Sequence, residues 1–355
     1  MSADQPTAPA MPRILVASAG AVGGVVAAGL IELGVPVTLL TGSPLVADAI
    51  GARGLLVRGE PGRSAVRAQA LIALATGGTP FDYVLLCGRA REAEAAAAQV
   101  RPALAEQGIL VCLQDAPCEE RIASVSGGAA VAGAVVGWTA HTIEPGIYER
   151  TSAGGFVLGP LDAGADEARL AALARLLETV GPVRLTRNLR GARWSKLALA
   201  CAAGALCGIG DGRLGQILRH GEARALALDL LAEAVEVARG EGVELDPVPG
   251  TVDVSSLAPS EAERRAAPGA PGLAAKDELL RALALRFRPI RSRLDLSALA
   301  GGAREVDFLN GEVVARARAL GLRAPANEAV QKAVHRIAEG KARPGLELLR
   351  RIYEA

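Results

Sequence analysis

Short apolar runs set the rhythm of the first half of the chain. Residues 13–17, 35–40, 81–87 and 108–113 are rich in Val, Ile and Leu and lie next to Gly, Pro or Ser. Runs of this kind are the pattern of strands buried on both faces of a parallel sheet. Between them lie helical segments, one ending at Leu33 with Gly34 as its stop, and an alanine-rich one over residues 91–104. Strand and helix in alternation predict an α/β domain. After Ala129 the strands shorten, at residues 131–139, 147–150 and 155–158, and an amphipathic helix follows at 166–180. From Asn188 the period is helical almost throughout, over residues 189–208, 222–240, 274–285, 303–320 and 327–339. Residues 246–272 are rich in Pro, Gly and Ser and read as a long loop. The expected organisation is a flexible tail at 1–12, an α/β domain at 13–186 and an all-helical domain at 187–355.

Composition narrows the function classes. A chain of 355 residues is long enough for two cores. It is 50% hydrophobic and 22% charged with a formal net charge of +1, so bulk electrostatics favour neither nucleic acid nor a membrane surface as partner. Charge, Gly or Pro interrupts each apolar run before it could span a bilayer, and the N-terminal residues lack the apolar core of a signal peptide. The five cysteines form no metal-ligand spacing with a histidine. The expectation is free buried thiols, no bound metal, and a cytoplasmic protein. Apolar faces in the helical half fit either a homodimer or core packing.

The turn after the first strand carries the first chemical signal. Ser18-Ala19-Gly20-Ala21-Val22-Gly23 has the form of a dinucleotide fingerprint whose first glycine is serine. The second and third glycines let backbone approach a pyrophosphate and pack helix on strand. Its place between strand and helix predicts a Rossmann-type domain, with the helix N-terminus facing the phosphates. Thr41-Gly42-Ser43-Pro44, after the second strand, offers neither an acid for a ribose nor a base for its phosphate. Arg53 and Arg58 read as surface charges.

Lysine usage gives the second signal. Of the 39 basic residues 35 are arginine, leaving Lys196, Lys276, Lys332 and Lys341. Arginine replaces lysine poorly where a proton must be exchanged. Lys196 lies on an otherwise apolar helix at the domain boundary, where it reads either as a snorkelling surface residue or as a site residue. Lys276, beside Asp277 and Glu278, reads as a solvated charge, and Trp194 as an interface anchor.

Arg193-Trp194-Ser195-Lys196-Leu197, followed far downstream by Arg304-Glu305-Val306-Asp307-Phe308-Leu309-Asn310-Gly311, resembles the paired signatures of the ketopantoate reductase family. The strand leading to Arg89, the Leu113-Gln114-Asp115 turn and Glu144-Pro145-Gly146 are similar to further family features, so the resemblance spans residues 13–339. It implies a substrate cleft between the domains, NADPH as cofactor and reduction of a 2-oxo acid. It also implies Lys196 as general acid and Glu305 as the carboxylate that orients it. Ser292, Ala200, Gly204 and Asp307 would meet the small-molecule substrate. Residues 18–23, Arg89, Gln114 and Asp115 would meet the cofactor. Asp307 and Asn310 also read as an ordinary polar helix face.

This chain departs from the family pattern where the chemistry sits. Arg89 replaces a lysine, Asp115 and Ala116 replace an asparagine and a glycine, and Ala200 and Gly204 replace asparagines. The last two share the helix face of Lys196 at i+4 and i+8. An apolar face there leaves a polar hydroxy acid without partners, so a bulkier or more apolar substrate than ketopantoate is expected. Asp115 is expected to pair with Arg89. Two other readings stand beside the reductase: non-redox, lysine-assisted chemistry on the same scaffold without cofactor, and a non-catalytic binding protein.

Overall fold

The computed structural model describes residues 11–59, 62, 64–162, 165–266, 270–286 and 302–354. Ser292 and most of the expected tail lie outside the described residues. In chain order the first half runs β1 (Ile14–Ala17), α1 (Ala21–Glu32), β2 (Val37–Leu40), α2 (Pro44–Arg53), β3 (Leu55–Gly59), β4 (Ser64–Val66), β5 (Ala70–Leu71), β6 (Phe81–Leu86), α3 (Ala93–Val100), β7 (Leu104–Cys112), α4 (Glu119–Val125), β8 (Ala130–Val136), β9 (Ala140–Glu144), β10 (Ile147–Arg150), β11 (Phe156–Pro160), α5 (Glu167–Leu177) and β12 (Val183–Leu185). The second half is helical: α6 (Leu189–Gly210), α7 (Leu214–Ile217), α8 (Gly221–Gly240), α9 (Val254–Leu257), α10 (Glu261–Arg265), α11 (Pro271–Arg286), α12 (Gly302–Phe308), α13 (Asn310–Ala319), α14 (Pro325–Ala338) and α15 (Leu346–Glu354). A Rossmann-type sheet domain is thus followed by an all-helical domain, as expected. Among the described residues, no helix is long and apolar enough to cross a membrane.

The main sheet has the order β12-β11-β8-β7-β6-β1-β2-β5. Its strands pair in parallel except β8 with β11. Alternate residues of one strand enter different cores. Leu15, Val84, Leu86, Leu110 and Cys112 face α3 and a core that continues into the helical domain. Ile14, Val16, Tyr83, Leu85, Ile109 and Val111 face α1 and α5. Burial on both faces is why these strands read as unbroken apolar runs.

A second sheet, β4-β3-β10-β9, lies on the far side of α1. Sandwiched between the two sheets, α1 is buried from Val22 to Leu30. Three further differences from the sequence reading have local causes. The expected helix 303–320 breaks at Leu309 (φ −105°, ψ −93°) into α12 and α13. The expected helix 91–104 stops early, and β7 begins just after Pro102. The expected loop 246–272 contains α9 and α10 and includes the start of α11. Asp253 caps α9, and Ser260 and Glu263 form a capping box on α10.

Several contacts join the domains. Arg184 grips Asp246 through two hydrogen bonds of 3.0 and 2.8 Å, and Gly155 N donates to Pro249 O at 3.0 Å. More central is Arg193 on α6, which is 3% exposed. Its Nε donates to Glu119 Oε1 at 2.9 Å, Nη2 to Cys112 O at 3.3 Å, and Nη1 to Gln114 O. Breaking a buried pair from one side leaves an uncompensated charge. Arg193→Met is therefore expected to lower unfolding free energy by roughly 3–5 kcal/mol in urea titrations. Adding Glu119→Gln should recover part of the loss, and a double variant no better than the single would contradict this account.

Candidate active site

Strand order reverses between β1 and β6: the chain leaves β1 for β2 on one side and returns to β6 on the other. Ligands of open α/β sheets bind beyond the carboxyl ends of the strands at such a point. Here those ends carry Ser18–Gly20 after β1, Gly88 and Arg89 after β6, and Gln114 and Asp115 after β7.

The loop after β1 keeps the fingerprint's shape despite its serine. Ser18 adopts φ +104°, a left-handed conformation that glycine takes without strain. Its Oγ accepts from Gly20 N at 3.3 Å. Gly20 N-caps α1 in extended conformation. A Cβ on Gly23 would lie 2.0 Å from Ser18 O and 3.2 Å from Cys87 Cβ, so helix and strand approach too closely for any side chain. Tyr148, on β10 of the second sheet, closes the loop from behind. Its hydroxyl donates to Ala19 O at 2.6 Å, and a Cβ on Gly24 would meet its ring at 2.1 Å. Burial pushes the Tyr148 hydroxyl up to about 12, so it remains a donor at neutral pH.

Helix α6 supplies the opposite wall. Beyond its first turn every residue is buried except Lys196, Leu199, Ala200, Ala203 and Gly204. Their spacing, i, i+3, i+4, i+7 and i+8, makes one stripe. Lys196 is thus the charged end of an accessible face that is otherwise small and apolar. Its Nζ lies 3.5 Å from Asp115 Oδ1, with the two side chains 11% and 15% exposed. The expected Arg89–Asp115 pair does not form: Asp115 faces Lys196 instead. Glu305 sits on α12. Its Oε1 accepts from Ala90 N at 3.4 Å, so it links α12 to the turn that follows Arg89.

The other expected residues divide. Arg89 Nη1 and both polar atoms of the Gln114 side chain are buried without a hydrogen-bond partner. Such atoms are rare in native proteins and call for a ligand or ordered water. Asp307 is engaged elsewhere, accepting from Gln331 Nε2 at 2.7 Å and lying 2.7 Å from His335 Nε2 on α14. At i+2 from Glu305 it falls on a different helix face, with its partners on α14. Asn310 is fully buried and bonded to Asn327, a structural role. Lys276 is not solvated. It pairs with Glu263 at 2.5 Å and donates to Ala258 O, tying α11 to the segment before it. After β2, Thr41 Oγ1 accepts from Ser43 N and Ser43 Oγ from Val46 N, so this end of the crevice is neutral and hydroxyl-lined. Burial raises the thiols of Cys112, Cys118, Cys201 and Cys207, Cys118 to about 11, which leaves them neutral rather than nucleophilic. Among the described residues no cluster of side chains fits a metal ion. Sequence reasoning missed Tyr148, a tyrosine on an inner strand of the second sheet, far from the fingerprint in sequence.

Fold and site together define a two-domain protein, a Rossmann-type sheet domain followed by an all-helical domain. Residues 14–163 match the family model "Ketopantoate reductase PanE/ApbA", and residues 188–338 match its C-terminal domain. The chain belongs to the ketopantoate reductase family. A 2-dehydropantoate 2-reductase of Pyrobaculum aerophilum is 29% identical over 160 residues, 44% of this chain and 47% of that enzyme. The match therefore spans about half of that relative. A PanE/ApbA family ketopantoate reductase of Ralstonia eutropha is 28% identical and superposes with a TM-score of 0.74, covering 93% of this chain and 99% of that one. D-mandelate dehydrogenase, solved with NADH and anilino(oxo)acetate, shares the fold at 18% identity and a TM-score of 0.75, with 93% and 99% covered.

Strain at Ser18 gives a direct test of the loop. A non-glycine residue held at positive φ costs on the order of 1 kcal/mol. Ser18→Gly is expected to raise stability by about that amount, less the entropy glycine returns to the unfolded chain. A fall in the urea midpoint would show that the Oγ–Gly20 bond outweighs the strain.

Proposed function

We propose that this protein is an NADPH-dependent reductase acting on a 2-oxo acid or related carbonyl compound whose side chain is bulkier and more apolar than that of ketopantoate. The α6 stripe carries the substrate part of this reading. Lys196 stands at its end, and Leu199, Ala200, Ala203 and Gly204 bring no side chain that can donate or accept a hydrogen bond. Such a face favours an apolar group and disfavours a hydroxylated one. D-mandelate dehydrogenase, which shares the fold and was solved with anilino(oxo)acetate, supports this reading.

The residues at the strand ends fit a nicotinamide dinucleotide. The α1 N-terminus opens just beyond β1 at Gly20, with no side-chain cap on its first turn. Arg89 and Gln114 bring buried polar atoms that lack partners. When bound, the cofactor supplies the hydride. Lys196 Nζ would meet the substrate oxygen, stabilise its developing negative charge and release a proton to it. The apolar stripe would hold the side chain and keep water from the reacting carbon. The neutral end of β2 discriminates weakly between the phosphorylated and free ribose, so NADPH and NADH both need measuring. No observation favours the non-redox alternative.

Either cofactor is expected to quench or enhance protein fluorescence on titration, and failure of both to bind at millimolar concentration would overturn the reading. With cofactor, 2-oxo-2-phenylacetate should be reduced with a higher kcat/KM than ketopantoate, and the reverse order would overturn the substrate assignment. Lys196→Ala should lose on the order of 10²–10⁴-fold in kcat while staying folded. Ala200→Asn should lower kcat/KM for 2-oxo-2-phenylacetate by roughly tenfold, since it places an amide against an apolar group.

A further inference from the structure

The turn at Gln114 and Asp115 is gripped from α6 at two points one helical turn apart. Arg193 donates to the Gln114 carbonyl, and Lys196 Nζ sits 3.5 Å from Asp115 Oδ1. Arg193 is itself fixed by Glu119 and the Cys112 carbonyl. The turn therefore cannot shift along α6 without breaking a buried ion pair. We propose that Asp115 is the positioning residue of Lys196, holding its ammonium charged and aimed at the sheet side of the cleft. This inference rests on Lys196 as general acid, the role set out above.

Asp115 is suited to this role by geometry and surroundings. The two side chains are mostly buried, so solvent screens them weakly. A carboxylate within about 4–6 Å favours the charged lysine by roughly one to three pH units. Among the described residues, other charged groups on neighbouring elements have partners of their own. Arg193 on α6 and Glu119 at the start of α4 bond to each other. Glu305 on α12 reaches the Ala90 amide. Arg89, beyond β6, makes no ion pair with Asp115 among the described residues. The restraint on Lys196 thus comes from the sheet domain, across the cleft from the helix that bears it.

Four lysines in the whole chain make the test direct. With ¹³Cε-lysine labelling, the Lys196 resonance is identified by its loss in Lys196→Arg and followed against pH in the full chain. In Asp115→Asn it is expected to titrate about one to three pH units lower than in the parent, with the other three lysines unmoved. Asp115→Glu should restore most of the difference. In reduction of 2-oxo-2-phenylacetate, the high-pH limb of kcat should fall by the same interval in Asp115→Asn, with KM less affected. An unmoved Lys196 titration in Asp115→Asn, or an equal shift in Glu305→Gln, overturns the inference. Asp115→Ser serves the same comparison if the asparagine variant is unstable. These readouts separate two failures. An active Lys196→Ala protein would refute the general-acid role, whereas an unmoved titration would refute only the part given to Asp115.

Discussion

A guanidinium almost without access to water sits where the two domains meet, and the geometry of the cleft depends on it. Arginine stays charged at any pH a folded protein meets, so Arg193 must be compensated where it lies. Glu119 supplies the charge, and the carbonyls of Cys112 and Gln114 take the remaining N–H groups. Buried pairs of this kind add little net stability over an apolar replacement, but they penalise every alternative arrangement. Here the arrangement fixed is the position of α6 against the carboxyl end of β7. Lys196 follows Arg193 by one turn, and Asp115 follows Gln114 directly. A single structural arginine thus sets the separation of the two groups that face each other across the site.

The phosphate loop shows a different compromise. Its shape is held by what surrounds it: Gly23 pressed on Ser18 O, Gly24 pressed on the Tyr148 ring, and the Tyr148 hydroxyl on Ala19 O. With α1 enclosed between two sheets, the loop has little freedom to relax. Serine at the first position is therefore carried at positive φ, and its hydroxyl takes the nearest amide. Strain that the surroundings over-determine persists in this way at binding loops. The shape of the turn survives the loss of the glycine that usually permits it.

The parts legible in the sequence are those buried on two sides. Strands β1, β2, β6 and β7 read clearly because both of their faces enter a core. In the small sheet only β10 did, since β3, β4 and β9 are partly exposed and their alternation is weak. The break at Leu309 is followed by Asn310-Gly311, a turn-forming pair set inside an otherwise helical period. The capping box Ser260-Glu261-Ala262-Glu263 was present in the sequence but sits within a Pro- and Gly-rich stretch that reads as loop. At the site, the face shared by Lys196, Ala200 and Gly204 follows from helical spacing alone. The partner of Lys196 does not. Arg89 and Asp115 follow neighbouring strands, which makes their pairing reasonable on paper, yet Arg193 holds the Gln114 carbonyl and leaves the next side chain facing α6. Contacts between domains depend on docking that no local pattern encodes.

The departures of this chain from its family pattern are physically connected. Asparagine amides along α6 would have given the lysine a polar neighbourhood. Ala200 and Gly204 remove it and leave an ammonium at the end of an apolar stripe. An ionised group in such surroundings is costly unless paired. Asp115 supplies the counter-charge from the opposite domain, within 3.5 Å. The two changes then reinforce each other. An apolar substrate group lying along Leu199, Ala200, Ala203 and Gly204 would displace water from beside the pair, and a lower local dielectric strengthens the attraction between the charges. On the general-acid role proposed for Lys196, arginine there would keep that attraction but could not give up a proton.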